Sequence, residues 1–138
     1  MKGIIVFILA TLTFSSEAQN KFDSKIIVRL KDTAKIVQQV KYAFANADFM
    51  VRENGRMDTI TTFVRDVRAF PGFIKAMAVI NGNNIEISGW YGLKRIDDFG
   101  YTRNSSNESQ VIYYKASKTW RILKQVADNL SGEILYTK

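Results

Sequence analysis

Apolar and polar positions change period several times along this chain, and each change marks an element. Gly3 to Phe14 is an almost unbroken apolar run behind Met1-Lys2. From Lys25 to Lys31 the pattern alternates, with Ile26, Val28 and Leu30 on one face, which predicts a strand. Asp32 or Thr33 is placed to cap a helix. Its apolar positions, Ile36, Val40, Ala43, Phe44 and Ala47, fall on one helical stripe, while Lys35, Gln38, Gln39 and Lys41 face water. From Asp48 to Tyr91 the period drops to two. Phe49 to Arg52 reads as a short strand, and Asn54-Gly55 as a tight turn. A longer strand follows over about 58–67, rich in β-branched residues. Phe70-Pro71-Gly72, with the chain's one proline, breaks it. Phe73 to Ile80 is the next strand, and Asn81-Gly82-Asn83-Asn84 turns it back. In the strand that follows, Ile85, Ile87, Gly89 and Tyr91 share one face and Glu86, Ser88 and Trp90 the other.

Residues 94–109 read as one long polar loop without periodicity. Val111 to Tyr114 is a short strand or a packed lead-in. Ser117 caps a second helix with the stripe Trp120, Leu123, Val126 or Ala127, and Leu130. Gly132 is placed to end it in a left-handed conformation, and Glu133 to Thr137 is a last strand. The order is β-α-β-β-β-β-α-β. Helices at both ends of an antiparallel meander predict an α+β two-layer sandwich, with five to six strands and both helices on one face.

With these elements in place, the chain resembles small exported bacterial domains of unknown function, some of which have a fold similar to the TATA-box-binding protein. The resemblance is carried by Ile85-Glu86-Ile87-Ser88-Gly89-Trp90-Tyr91, by Trp120 in the second helix and by Gly132 before the last strand. It spans most of residues 24–137. It implies a fold and an exported location, and no activity.

The first residues point the same way. A basic start, an apolar run and a small-residue exit are the parts of a secretory signal peptide. Ser16 and Ala18 stand two apart, as a signal-peptidase site requires, so cleavage is expected after Ala18. The run is too short to span a bilayer, which takes about 20 residues. No Cys follows the cut, so a lipid anchor is not available. The expected division is a leader over 1–18 and one α+β domain over 19–138, periplasmic or extracellular.

Composition narrows the chemistry. The chain has no Cys and no His. Ser-His-Asp and Cys-His nucleophilic mechanisms are therefore excluded within it, as are Cys/His zinc sites. No disulfide is available, so stability rests on packing alone. No calcium-loop motif is present and no cofactor is expected. Asp97-Asp98 is the best carboxylate pair, but adjacent acids in a loop do not straddle a substrate as hydrolysis needs. They read as a solvated turn. Glu53, Asp58, Asp66 and Glu86 stand among cations and read as cross-strand pairing partners. Asn104-Ser105-Ser106 and Asn107-Glu108-Ser109 match the N-glycosylation pattern, which has meaning only in a eukaryotic secretory route.

The net charge is +7, and Lys2 and Glu17 cancel, so residues 19–138 keep all of it. Such an excess favours anionic partners. Two places are candidates. Lys115, Lys118, Arg121 and Lys124 are interleaved with Tyr113, Tyr114 and Trp120 and with no acid over 110–125. Rings and cations together suit anionic sugars or single-stranded nucleic acid, although the stripe turns Trp120 inward. Trp90, followed by Lys94 and Arg95, falls on the sheet face opposite Ile85 and Ile87, where a large ring either marks a binding or self-association surface or packs under the 94–109 loop. These residues make an exported, non-enzymatic binding domain the expected function. The partner is an envelope protein, an anionic glycan, a lipid surface or a second copy of the chain, and the exported address disfavours nucleic acid. The alternative is a small-molecule or lipid carrier with a cavity between sheet and helices.

Overall fold

The computed structural model describes residues 19–68, 71–104, 107–114 and 117–138. The expected leader and its cleavage site, and Lys115, lie outside the described residues. The elements are β1 (Lys25–Leu30), α1 (Ile36–Asn46), β2 (Val51–Arg52), β3 (Thr59–Thr62), β4 (Arg65–Asp66), β5 (Gly72–Asn81), β6 (Asn84–Ile96), β7 (Thr102–Asn104), β8 (Ser109–Gln110), α2 (Lys118–Asp128) and β9 (Gly132–Thr137). This is an α+β fold: one antiparallel sheet and two helices. The sheet runs β2-β3-β5-β6-β1-β9, with β4 added on β5 and β7 and β8 on β6.

Register explains the core. Tyr136, Ile26, Ile87, Ala78 and Ile60 stand opposite one another in sequence across β9, β1, β6, β5 and β3. Ile134, Val28, Ile85 and Ile80 make a second row. These rows join Val40, Ala43 and Phe44 of α1 and Trp120, Leu123 and Val126 of α2 in one cluster. Full burial of each large apolar side chain contributes about 1.5–3 kcal/mol, which is what holds a fold without disulfides together. α2 lies on β1 and β6, and α1 lies against β2, β3 and α2. Trp120 is buried, and its Nε1 donates to Gln19 Oε1 at 3.1 Å. Ser117 caps α2 by accepting from the Trp120 amide at 3.2 Å.

Several expectations are corrected. The N-cap of α1 is Lys35, in a left-handed conformation and without a side-chain cap. Asp32 instead closes a local turn, accepting from the Ala34 amide at 2.9 Å. Gly132 does not end α2; it opens β9. A Cβ there would collide with the Arg29 carbonyl oxygen, so the glycine permits close approach of β9 to β1. The strand expected over 58–67 is split into β3 and β4. The hydroxyl of Thr62 accepts from the Ala76 amide at 2.9 Å, displacing a ladder bond. The register on β5 moves by one residue between Thr61↔Met77 and Arg65↔Ile74, which is a bulge.

The largest correction concerns 94–109. It is not one long loop, because β6 continues to Ile96 and turns back as β7, and β8 then rejoins β6. The strand count is therefore nine rather than five or six. The additional strands are two or three residues long and mostly exposed, so backbone pairing makes them and no burial pattern announces them. Val111 to Tyr114 is a lead-in: the Val111 amide donates to the Gly89 carbonyl at 2.8 Å and the Tyr113 amide to that of Asp23 at 2.7 Å.

Candidate functional site: a groove beside Trp90

Alternation along β5 and β6 sorts side chains to two faces. Ile74, Ala76 and Ala78 belong to the core cluster, and so do Ile85 and Ile87. Phe73, Lys75, Met77 and Val79 on β5, and Glu86, Ser88, Trp90 and Gly92 on β6, point the other way. Phe73 is buried although it lies outside that cluster. It faces Gly92, where a Cβ would stand 2.5 Å from the Phe73 Cζ and 3.0 Å from the Asn107 carbonyl oxygen. The missing side chain lets the ring lie on the strand with residue 107 over it.

This packing leaves Trp90 at a boundary. It stands opposite Lys75 on β5 and Gln110 on β8 and is half-buried. Beyond it opens a groove of about 520 Å³, within the range of about 300–1,000 Å³ typical of small-ligand sites. Met77 and Ala76 of β5 and Thr61 and Thr62 of β3 line it. At the Trp90 end, Lys75 Nζ lies 2.7 Å from Glu108 Oε2. At the far end stand Arg52 of β2, Glu53 and Asn54. Glu53 is held by Lys41 at 3.0 Å. Asn54 is tied into its turn, donating to the Thr59 carbonyl and accepting from the Arg56 amide, both at 3.0 Å. The Arg52 guanidinium lies 5.7 Å from the centre of the Phe63 ring. Among the described residues it has no carboxylate partner. The groove thus offers one apolar ring face, one guanidinium without a carboxylate partner among the described residues, and the Thr61 hydroxyl between them.

The remaining candidate residues lie elsewhere. Lys94 pairs with Asp66 at 2.7 Å. Arg95 is exposed, opposite Arg103 of β7. Lys118 and Arg121 are exposed on α2, and Lys124 pairs with Asp128 at 3.3 Å. Trp120 packs edge-on to Tyr113, with ring centres 5.8 Å apart, inside the core. The rings and cations over 110–125 therefore do not form one surface. Nor do the α2 cations join Trp90, because α2 lies on the core side of β6 and Trp90 projects from the other side.

Asp97 builds a turn rather than a catalytic pair. Its Oδ1 accepts from the Phe99 and Tyr101 amides at 3.0 and 2.9 Å, and its Oδ2 lies 2.9 Å from Arg103 Nε. Glu86, Asp66, Glu53 and Asp58 all pair with cations, at 3.3, 2.7, 3.0 and 3.4 Å. These pairs are largely exposed, so each is worth at most about 1 kcal/mol.

Sequence reasoning did not find Arg52, Lys75, Met77, Thr61 or Glu108. They come from four separate segments, and only the strand register brings them to Trp90. Compared with known proteins, the chain matches no family model, no curated protein and no solved structure. The chemistry is therefore argued from the groove.

Proposed function

We propose that this chain is an exported, non-enzymatic binding domain whose groove beside Trp90 receives an anionic glycan. The reading extends to a two-layer fold, with both helices on the Ile26 and Ile87 face and the opposite face available to a partner. One observation carries it: a half-buried indole and a guanidinium without a carboxylate partner among the described residues, Arg52, bound the same groove. A sugar presents a flat C–H face to an aromatic ring. A sugar acid adds a carboxylate, which arginine grips through two parallel hydrogen bonds. The Thr61 hydroxyl suits a ring oxygen or hydroxyl between those two anchors. The filled interior favours this over the carrier alternative, since Phe44, Trp120, Leu123 and Val126 occupy the space between sheet and helices. Export rests on residues 1–18, and intact mass of the secreted product tests it, with Gln19 expected as the first residue.

The groove is tested by titrating uronic-acid oligosaccharides, with neutral oligosaccharides of equal length as control. Trp90→Ala is expected to weaken uronate binding at least about tenfold, a cost of about 1.4 kcal/mol. Arg52→Ala is expected to remove the preference for the acid. The unfolding midpoint should move little in either variant. Unchanged uronate binding by Trp90→Ala defeats the assignment.

A further inference from the structure

The β6–β7 hairpin is built in a way its fold does not require. Beyond Pro71, β6 leaves β5 and pairs with β7 alone, Lys94↔Asn104, Arg95↔Arg103 and Ile96↔Thr102. The turn between them is fixed by Asp97, which accepts two backbone amides and holds Arg103. Gly100 at φ +81° completes it. This pre-formed turn presents apolar side chains to solvent: Phe99 is 84% exposed, Ile96 76%, Tyr101 68% and Leu93 52%. Scattered exposed hydrophobics are ordinary, but a cluster of four within nine residues on a fixed projection is a contact surface.

Two features choose the partner. Leu93 and Ile96 are three apart in a strand, so they point to opposite faces of the hairpin, and Phe99 and Tyr101 occupy its tip. A protein partner covers one face of a hairpin. A bilayer interface surrounds a tip on all sides and accepts Phe, Tyr, Ile and Leu together, the aromatic rings resting at headgroup level. Cations stand behind the tip on both faces. Lys94 shares the Ile96 face, where Asp66 holds it at 2.7 Å, and Arg95 and Arg103 sit directly opposite each other on the second face. Like charges so placed destabilise a strand pair unless an anion lies between them. Asp97 binds Arg103, whereas Arg95 has no carboxylate among the described residues. The chain's charge of +7 attracts anionic lipid over a longer range. Asp97 and Asp98 are the acids at the tip, and Asp97 is paired with Arg103.

We propose that the β6–β7 hairpin inserts its tip into the interface of an anionic phospholipid bilayer, with Arg95 and Arg103 against the headgroup phosphates. This site is separate from the groove and stands whether or not the groove binds glycan.

The chain has no Cys, so one label can be placed cleanly. Tyr101→Cys carrying an environment-sensitive fluorophore is mixed with vesicles of phosphatidylglycerol and phosphatidylcholine, or of phosphatidylcholine alone. A blue shift is expected on the anionic vesicles, with quenching by a spin label near the lipid headgroup. A Tyr42→Cys label, exposed on α1, is expected to show neither. This comparison within one chain also separates the tip from any binding by the apolar run at 3–14. Adding Ile96→Ser and Phe99→Ser to the Tyr101→Cys protein should raise the lipid needed for half the shift at least about tenfold. An unshifted label overturns the proposal, and so does an equal response to phosphatidylcholine alone. A shift that follows protein concentration without lipid also overturns it, and assigns the tip to a second copy of the chain.

Discussion

Over Asn84–Gly89, β6 is enclosed: β5 and β1 hold its edges, α2 lies over it, and Ile85 and Ile87 are fully buried. Over Lys94–Ile96 the same strand has β7 as its one strand partner, and the side chains of Arg95 and Ile96 meet water. One half is closed by packing on nearly every side. The other half is ordered by backbone bonds and a turn, and its apolar groups gain nothing from the fold. The difference separates residues that make the structure from residues the structure displays. Trp90 stands at the change-over, with one side packed and one side on the groove.

Substitutions on the enclosed half should cost most. Trp120→Ala removes the largest fully buried side chain of α2 and should destabilise by about 3–5 kcal/mol, read from chemical unfolding. Ile87→Ala, in the middle of the five-strand row, should cost about 2–5 kcal/mol by the same measurement. Ser117→Ala removes the cap that orients α2 over β6 and should cost about 1 kcal/mol. Ile96→Ala makes the same chemical change as Ile87→Ala on the same strand. It should shift stability by no more than about 0.5 kcal/mol. A loss at Ile96 comparable to that at Ile87 would show that the hairpin packs on the body, and the contrast between the two halves would fail.

Legibility in the sequence follows the same division. Alternation of Ile85, Ile87 and Gly89 against Glu86, Ser88 and Trp90 is visible because burial imposes a period of two. The α2 stripe is visible because burial imposes a helical one, and Ser117 is legible as a local cap. Where burial stops, so does the signal. Lys94-Arg95 looks like loop, yet backbone pairing carries β6 through it to Ile96, and only Asp97-Asp98 begin the turn. Phe99 and Tyr101 recur at no period, and their one cue is that they are aromatic residues in an otherwise polar stretch. Gly132 misled because a glycine after a helix has two uses, a left-handed turn and a close approach, and only the neighbouring strand decides. The groove was unreadable beyond Trp90, since its placement against Arg52 and Lys75 depends on how β2, β3 and β5 order themselves.

β1 lies between β6 and β9, so both its neighbours come from later in the chain: residues 84–87, then 132–137. A chain made from its N-terminus releases β1 early and must wait for both. These distant pairings give a high contact order, which slows folding. The sheet cannot close around β1 until β9 has emerged, because the last strand to appear completes the first. Up to that moment β1 keeps one edge unpaired, a template on which another chain can pair.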